Sequence, residues 1–267
     1  MRCLYISLIA VTIPFLQIHS QVKGLSASKL VSLTTQPVPF HKIEFEPSFS
    51  FFSAHHRWTD SHDRELLYSS KDSVEIAKEL GFRFTYGIGE NTEVGSYITS
   101  NTGTLALSLK HKFFDNSKVS FAALAGTTIF SQDGLYSRQL CNDENGISYT
   151  GGVIGNVILN EKWSADFDIQ RQVFVKREFR SSCSNSFANF DVSYRPVPSI
   201  QLINSFNYYH GNDRAEKALS DRFTITPGAA VESSDHFIVV VGIPLDVWGR
   251  NAEIFKGVSF ALTILFD

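Results

Sequence analysis

The sequence predicts an all-β fold, a transmembrane antiparallel β-barrel of about twelve strands with short periplasmic turns and long extracellular loops. Three observations predict it. Apolar and polar residues alternate with a period of two along most of the chain from residue 41 onward. Short turn-forming connections alternate with longer polar ones. The chain of 267 residues contains 23 Phe and 9 Tyr but 1 Met, a mixture that favours strands over helices.

The first twenty residues have the pattern of a secretory signal peptide. Arg2 provides a positive charge, residues 4–15 are mostly apolar, and Ser20 precedes Gln21 as a small residue at the cleavage position. The apolar stretch is shorter than the ~18 residues that a membrane-spanning helix requires. We therefore expect a signal peptide at 1–20 that is removed on export. Residues 21–40, rich in Ser, Thr and Pro, are expected to form a polar extended lead-in on the periplasmic side.

The barrel is predicted to occupy residues 41–267. In the first predicted strand Ile43, Phe45 and Phe49 alternate with Glu44 and Glu46, so one face is apolar and the other is charged. The twelve predicted strands are residues 43–51, 80–88, 93–99, 105–109, 119–129, 147–159, 163–174, 188–194, 200–209, 223–229, 237–245 and 258–266. Most approach the length of about 9 to 11 residues that a tilted membrane strand needs.

The connections between these strands differ in length in a regular way. Those near residues 90, 116, 161, 197 and 234 are short and rich in turn-forming residues, whereas residues 54–78, 131–145, 175–186, 210–221 and 246–256 are predicted to be long polar loops. The short connection at residues 100–104 is the exception. This asymmetry is typical of outer-membrane barrels, because a soluble β-sandwich has no reason to place long loops at one end. A secreted sandwich or jelly roll remains the alternative.

Charge and cysteine content restrict the function further. Lys and Arg total 24 against 27 Asp and Glu, giving a net charge of −3 without a basic block, which excludes nucleic-acid binding. Without the predicted signal peptide, Cys141 and Cys183 are the remaining cysteines. Both fall in predicted loops at the same end of the barrel, so we expect a disulfide between them in an oxidising compartment.

Three segments resemble a known family. They are residues 45–49 after the proline-containing lead-in, the hairpin at residues 84–94 and the strand at residues 107–113. They resemble bacterial outer-membrane transporters grouped with the meta-pathway phenol-degradation proteins, over about residues 36–114 in detail. The resemblance implies a channel for small compounds, aromatic ones among them. The last strand, ending at Phe266, is similar to the terminal strand that the barrel-assembly machinery binds.

The inward faces of the predicted strands carry charges of both signs. The predicted lumen-lining charged residues are Glu44, Glu46, Arg83, Lys110, Lys112, Asp166, Asp168, Asp191 and Arg222. The early strands provide Arg83 and two lysines, while the roughly opposite wall provides three aspartates. Two interpretations stay open. The charges either create a field across a hydrated lumen or pair with one another and fill the barrel.

Catalytic and metal sites are not predicted. Outer-membrane lipid hydrolases of this size require a His with a Ser two positions later, but His210 is followed by Gly211 and Asn212. The His, Asp and Glu residues between His55 and Glu65 match no metal-ligand spacing, so a solvated polar loop is favoured. No cofactor is expected.

The predicted function is therefore passive diffusion of small solutes through a charged lumen in the outer membrane of a Gram-negative-type bacterium. The solute itself is not predicted, and the expected partners are outer-membrane lipid and the barrel-assembly machinery. A barrel-anchored surface receptor or adhesion protein that acts through its extracellular loops is the second interpretation. An outer-membrane lipid hydrolase is the third.

Overall fold

The computed structural model describes residues 30–69, 73–100, 104–130, 146–175, 183–213, 218–234 and 236–266. Within these ranges every regular element is a β-strand. The strands are β1 (Ile43–Trp58), β2 (Arg64–Leu66), β3 (Glu75–Gly89), β4 (Thr92–Thr99), β5 (Thr104–Asp115), β6 (Val119–Phe130), β7 (Ile147–Ile158), β8 (Trp163–Val175), β9 (Cys183–Val197), β10 (Ile200–Asp213), β11 (Ala218–Ser234), β12 (Phe237–Gly242), β13 (Leu245–Arg250) and β14 (Ala252–Phe266). No helix in the described ranges is long and apolar enough to cross a membrane. The predicted signal peptide, residues 1–20, and Cys141 lie outside the described residues.

The strands close into an antiparallel barrel. Each main strand pairs with its neighbour in the chain, and β14 returns to pair with β1 in a register that includes Phe49 with Phe260. β12 and β13 share one position between β11 and β14, separated by Ile243 and Pro244. The short β2 pairs with the end of β1 outside the main ring. The barrel thus has twelve strand positions, and the predicted fold class is confirmed.

The alternation in the sequence determines which side chains face the interior. In β5, Leu105, Leu107 and Leu109 are 40%, 50% and 43% exposed, whereas Ser108 and Lys110 between and beyond them are 8% and 0% exposed. A soluble protein would place the leucines inside, because burying apolar surface stabilises the fold in water. The apolar residues of this barrel instead form its outer surface, as in a protein that contacts lipid.

Several strands extend beyond the predicted bounds. β1 continues to Trp58 and β3 begins at Glu75, so the first predicted loop is partly strand. The long loop predicted at residues 210–221 is wrong over most of its length, because β10 continues to Asp213 and pairs there with the start of β11. The prediction of a long loop at residues 246–256 is wrong. β13 and β14 are joined there by Asn251 alone, at a φ of 48°. Asn adopts this left-handed conformation more readily than most residues, which allows a tight turn here. The alternation was weak in this part of the chain because the strand is interrupted at Pro244.

The two ends of the barrel differ in their connections. At the end that holds Ile43 and Phe266, here called the terminal end, the strands are joined by tight turns. Asn116 accepts hydrogen bonds from the backbone N–H groups of Lys118 and Val119 at 2.8 and 2.7 Å, which fixes one of these turns. Asn160 does the same for the turn between β7 and β8.

Candidate functional site in the barrel interior

A length of chain lies inside the barrel. Residues 30–40, called the N-terminal segment, precede β1 and contain isolated bridges but no strand of their own. Phe40 forms a parallel bridge with Gly87 at the terminal end, and the chain before it lies within the ring of strands. Val31, Leu33 and Val38 are 4%, 3% and 3% exposed. A polar extended lead-in on the periplasmic side was expected for residues 21–40, whereas residues 30–40 lie within the ring of strands.

Leu33 anchors the segment by apolar contact. Its side chain packs against Ala122, Leu124 and Ile154, which face inward from β6 and β7 and are themselves buried. It is one of several buried apolar clusters, and Leu30 of the segment packs against another, formed by Ile203, Ala230 and Val240. Nearby, the hydroxyl oxygens of Thr35 and Ser120 are 2.6 Å apart. The segment is therefore held to the β6 side of the wall through two side chains.

An acidic wall holds the backbone of the segment. We give this name to Asp166, Asp168 and Asp191, which face inward from β8 and β9 and are at most 1% exposed. Asp168 accepts a hydrogen bond from the backbone N–H of Leu33 at 3.0 Å, and Asp191 accepts one from Ser32 at 3.3 Å. These are charge-assisted hydrogen bonds, which are about twice as strong as neutral ones.

Side-chain amides support the acidic wall. Asp168 also accepts from Gln170 at 2.7 Å and from Asn189 at 2.8 Å, and Asn156 donates to Asp166 at 2.7 Å. A buried carboxylate is costly unless hydrogen bonds replace the water it has lost. The amides provide that replacement and orient the carboxylates toward the segment.

A basic side chain holds the same segment from another wall. The Lys110 ammonium donates to the backbone carbonyls of Thr34 and Gln36, each at 2.9 Å, and lies 3.0 Å from a carboxylate oxygen of Glu93. Glu93 in turn accepts from the backbone N–H of Val38 at 2.7 Å. Lys112 donates to the Gln36 side chain at 2.9 Å. Lys110 and Glu93, which are opposite in register on β5 and β4, are both fully buried.

The remaining predicted charges pair with neighbours on the same wall. The Arg83 guanidinium lies between Glu44 and Glu46, at 2.6 and 2.7 Å. Arg222 lies 3.8 Å from Asp246 on the adjacent strand. All nine side chains predicted to line the lumen are therefore on the inner face, with Lys110 and two aspartates contacting the backbone of the segment. Glu93 and Asp246 were not among the residues predicted to line the lumen. The inward position of Glu93 nevertheless follows from the outward position of Val94.

Gly87 permits the close approach of the segment to β3. A Cβ atom placed on Gly87 would lie 2.2 Å from the carbonyl oxygen of Pro39 and 2.4 Å from that of Val38. Both contacts are far shorter than van der Waals separation, and both involve backbone. Any side chain at this position would therefore push the segment away from β3.

A cavity of about 190 Å³ remains between the segment and the wall at the terminal end. Pro37 and Pro39 line it from the segment, and Glu44, Ile238 and Thr263 line it from the wall. It combines apolar surface with a carboxylate and a hydroxyl. The interior is thus mostly, but not completely, filled at this end.

The predicted disulfide includes one cysteine that the structure describes. Cys183 is fully buried at the start of β9, opposite Phe174 of β8. Because Cys141 lies outside the described residues, the disulfide stays a prediction.

In the first predicted loop, residues 54–78, Arg57 and Glu65 form an ion pair at 2.5 Å. Within the described ranges no group of three or more His, Cys, Asp or Glu residues is arranged to hold a metal ion.

Comparisons with known proteins agree with this architecture. No protein-family model matches the chain, and no curated protein matches it. The crystal structure of the COG4313 outer membrane channel from Pseudomonas putida F1 aligns with a TM-score of 0.68 and 11% identity, covering 87% of this chain and 98% of that chain. The KdgM porin aligns with a TM-score of 0.49 and 6% identity, covering 85% and 99%. At 11% identity the likeness to the COG4313 channel shows the fold alone: this chain is built like that outer-membrane barrel.

Proposed function

We propose that the protein is an outer-membrane channel for the passive diffusion of small solutes. The observation that carries the proposal is the nature of what fills the interior. Many of the side chains that line it are polar or charged, and a length of chain hydrogen-bonded to them occupies it. Hydrogen bonds to this segment can be exchanged for hydrogen bonds to water or solute, whereas an apolar core cannot be hydrated at small cost. The lumen can therefore open without unfolding the barrel.

In this proposal the N-terminal segment closes the lumen and its displacement opens it. Displacement uncovers the acidic wall on one side and Lys110 and Lys112 on another. Because the basic side chains also pair with acids beside them, the uncovered lumen carries more negative than positive charge. We expect the open channel to prefer cations and hydrogen-bond donors.

The outer surface supports the proposed location. Leu107, Ile169 and Phe190 are 50%, 58% and 43% exposed on the outer face, as expected for contact with outer-membrane lipid. β14 provides the terminal strand, ending at Phe266, for the barrel-assembly machinery. The bacterium would be of the Gram-negative type, and the signal peptide would be removed on export.

Single-ring aromatic compounds are the solute class that we propose first. The cavity of about 190 Å³ at the terminal end is in the size range of a single aromatic ring, since an engineered cavity of about 150 Å³ binds benzene. Pro37 and Ile238 would contact the ring, while Glu44 and Thr263 could accept hydrogen bonds from a phenolic hydroxyl. This agrees with what the family resemblance implies.

A reversible cross-link tests the channel proposal in the full chain. The Thr35 and Ser120 hydroxyls are 2.6 Å apart, so the double variant Thr35→Cys, Ser120→Cys places two thiols within disulfide reach. Liposomes with the oxidised variant should swell slowly in small solutes, and reduction should restore the wild-type rate. The single variant Ser120→Cys, which cannot form this cross-link, is the control for effects of the reductant.

The outcomes separate the alternatives. Equal swelling of oxidised and reduced double variant would show that the segment does not control the lumen. No swelling with any form, including wild type, would reject the channel and favour a surface receptor that acts through its loops.

A further inference from the structure

Charged side chains of the interior bind the main chain of the N-terminal segment. Three backbone N–H groups, those of Ser32, Leu33 and Val38, each donate to a buried carboxylate. Two backbone carbonyls, those of Thr34 and Gln36, accept from one buried ammonium. Five charge-assisted hydrogen bonds are thus directed at groups that every peptide possesses. Side chains of the segment add contacts: Leu33 and Thr35 contact β6 and β7, Leu30 packs against Ile203, Ala230 and Val240, and Gln36 accepts from Lys112.

Residues of the barrel wall also bond to the charged side chains that hold the segment. Gln170 and Asn189 orient Asp168, and Glu93 orients Lys110. These supporting bonds come from the barrel wall and do not depend on the segment. A preorganised set of donors and acceptors binds with little loss of side-chain entropy.

We propose that the interior is a binding site for the backbone of an extended peptide, and that short peptides are a substrate class of the channel. The N-terminal segment is then the resident ligand of this site, and a free peptide competes with it. The seven residues from Ser32 to Val38 make all five bonds, so a peptide of about seven residues can make the whole set. Transport of peptides rests on the proposed channel function. Binding of peptides does not, because it can be measured without transport.

A proline substitution in the N-terminal segment should release the segment from the site without changing any residue of the barrel wall. Leu33→Pro removes the N–H that donates to Asp168 but leaves Asp168 unchanged on the wall. Leu33→Ala is the matched control, because it loses the same apolar contacts and keeps the N–H. The probe is a dye-labelled, end-blocked peptide with the sequence Leu-Val-Ser-Leu-Thr-Thr-Gln-Pro-Val-Pro, and the measurement is fluorescence anisotropy with the full-length protein in detergent.

We expect the probe to bind the proline variant about tenfold more tightly than the alanine variant. A version in which all side chains except the prolines are replaced by methyl groups should keep binding, within about tenfold. A third version, methylated on the two amide nitrogens that match Ser32 and Leu33, should lose at least about tenfold, because it cannot donate to the acidic wall. Adding Asp168→Asn to the proline variant should weaken binding of the unmodified probe.

Gly87→Ala provides a second route if the proline variant does not fold, since it displaces the segment by steric clash and alters none of its N–H groups. Equal affinity for the methylated and unmodified probes would overturn the inference, as would equal binding to both Leu33 variants. If the probe binds but the reduced cross-link variant does not conduct, the proposed channel fails and the peptide site stands. If the protein conducts but the probe does not bind, the peptide inference fails alone.

Discussion

The backbone N–H of Leu33 donates to the carboxylate of Asp168 at 3.0 Å, although the two residues are separated by 135 positions in the chain. The bond joins the segment before the first strand to the wall formed by β8. It lies away from solvent, with Asp168 fully buried. This hydrogen bond therefore joins the segment that occupies the lumen to an acidic side chain of the barrel wall.

The first prediction concerns Asp168→Asn. The neutral amide accepts a weaker hydrogen bond than the carboxylate, by about 1 kcal/mol, which should raise the open fraction of the channel roughly fivefold. Single-channel recording in planar bilayers measures that fraction. Glu65→Gln is the control, because Glu65 pairs with Arg57 at the end of the barrel opposite the terminal end. An unchanged open fraction in Asp168→Asn would mean that this bond does not hold the segment in place.

The second prediction concerns Gly87→Ala. The added methyl group would overlap the carbonyl oxygens of Val38 and Pro39, so the segment must move from β3. Hydrogen exchange of residues 30–40, measured by mass spectrometry, should become at least about tenfold faster. Gly151→Ala is the matched control, since the nearest atom to a Cβ there is 3.9 Å away. Equal exchange in both variants would contradict the close packing described for Gly87.

The third prediction concerns the buried pair of Lys110 and Glu93, whose side chains are both 0% exposed. Lys110→Met leaves the Glu93 carboxylate without its ammonium partner and should lower the free energy of unfolding by about 3–5 kcal/mol. The double variant Lys110→Met, Glu93→Gln should recover part of this loss, because no unpaired charge remains. Urea unfolding in vesicles, followed by gel mobility, measures both values.

The control for the third prediction is Arg57→Met. Arg57 and Glu65 form an ion pair whose side chains are 55% and 43% exposed. Water screens such a pair, so its loss should cost less than about 1 kcal/mol. If the single variant at Lys110 is no less stable than the double variant, the pair does not have the energetic role that its burial implies.

The barrel was predictable from the sequence because side-chain alternation is a local property of each strand. The inward position of Asp166, Asp168 and Asp191 follows directly from the outward position of Phe167 and Phe190. The strand count also follows, since most strands alternate clearly and are separated by turn residues.

The occupant of the lumen was not predictable in the same way. Five of its hydrogen bonds to the walls are made by backbone N–H and carbonyl groups, which every sequence contains, so no residue pattern marks them. Glu93 was missed as the partner of Lys110 because their pairing depends on the register between β4 and β5. The tight turn at Asn251 was missed because it depends on β13 continuing the interrupted β12, which is a property of the closed ring.

The fourth prediction is the disulfide between Cys141 and Cys183. Cys183 is buried at the start of β9, at the end of the barrel opposite the terminal end. Mass spectrometry of the unreduced protein should find no free thiol at either position after alkylation. Reduction should leave the barrel folded, since the entropic contribution is at most about 3–5 kcal/mol and the strands already restrict the loop. Two alkylated cysteines without reductant would reject the pairing.

The last prediction is the orientation of the barrel in the membrane. If the terminal end faces the periplasm, a protease added to intact cells should cut within residues 59–74 or 131–145 and spare the tight turn between β3 and β4. The turn at Asn251 should resist as well, although it lies at the outer end, because a single residue joins β13 and β14 there. Matched epitope insertions after Ser61 and after Ser117 provide the control, since only the first should bind antibody on intact cells. Antibody binding to the second insertion would reverse the orientation, because Ser117 lies in the turn that Asn116 fixes at the terminal end.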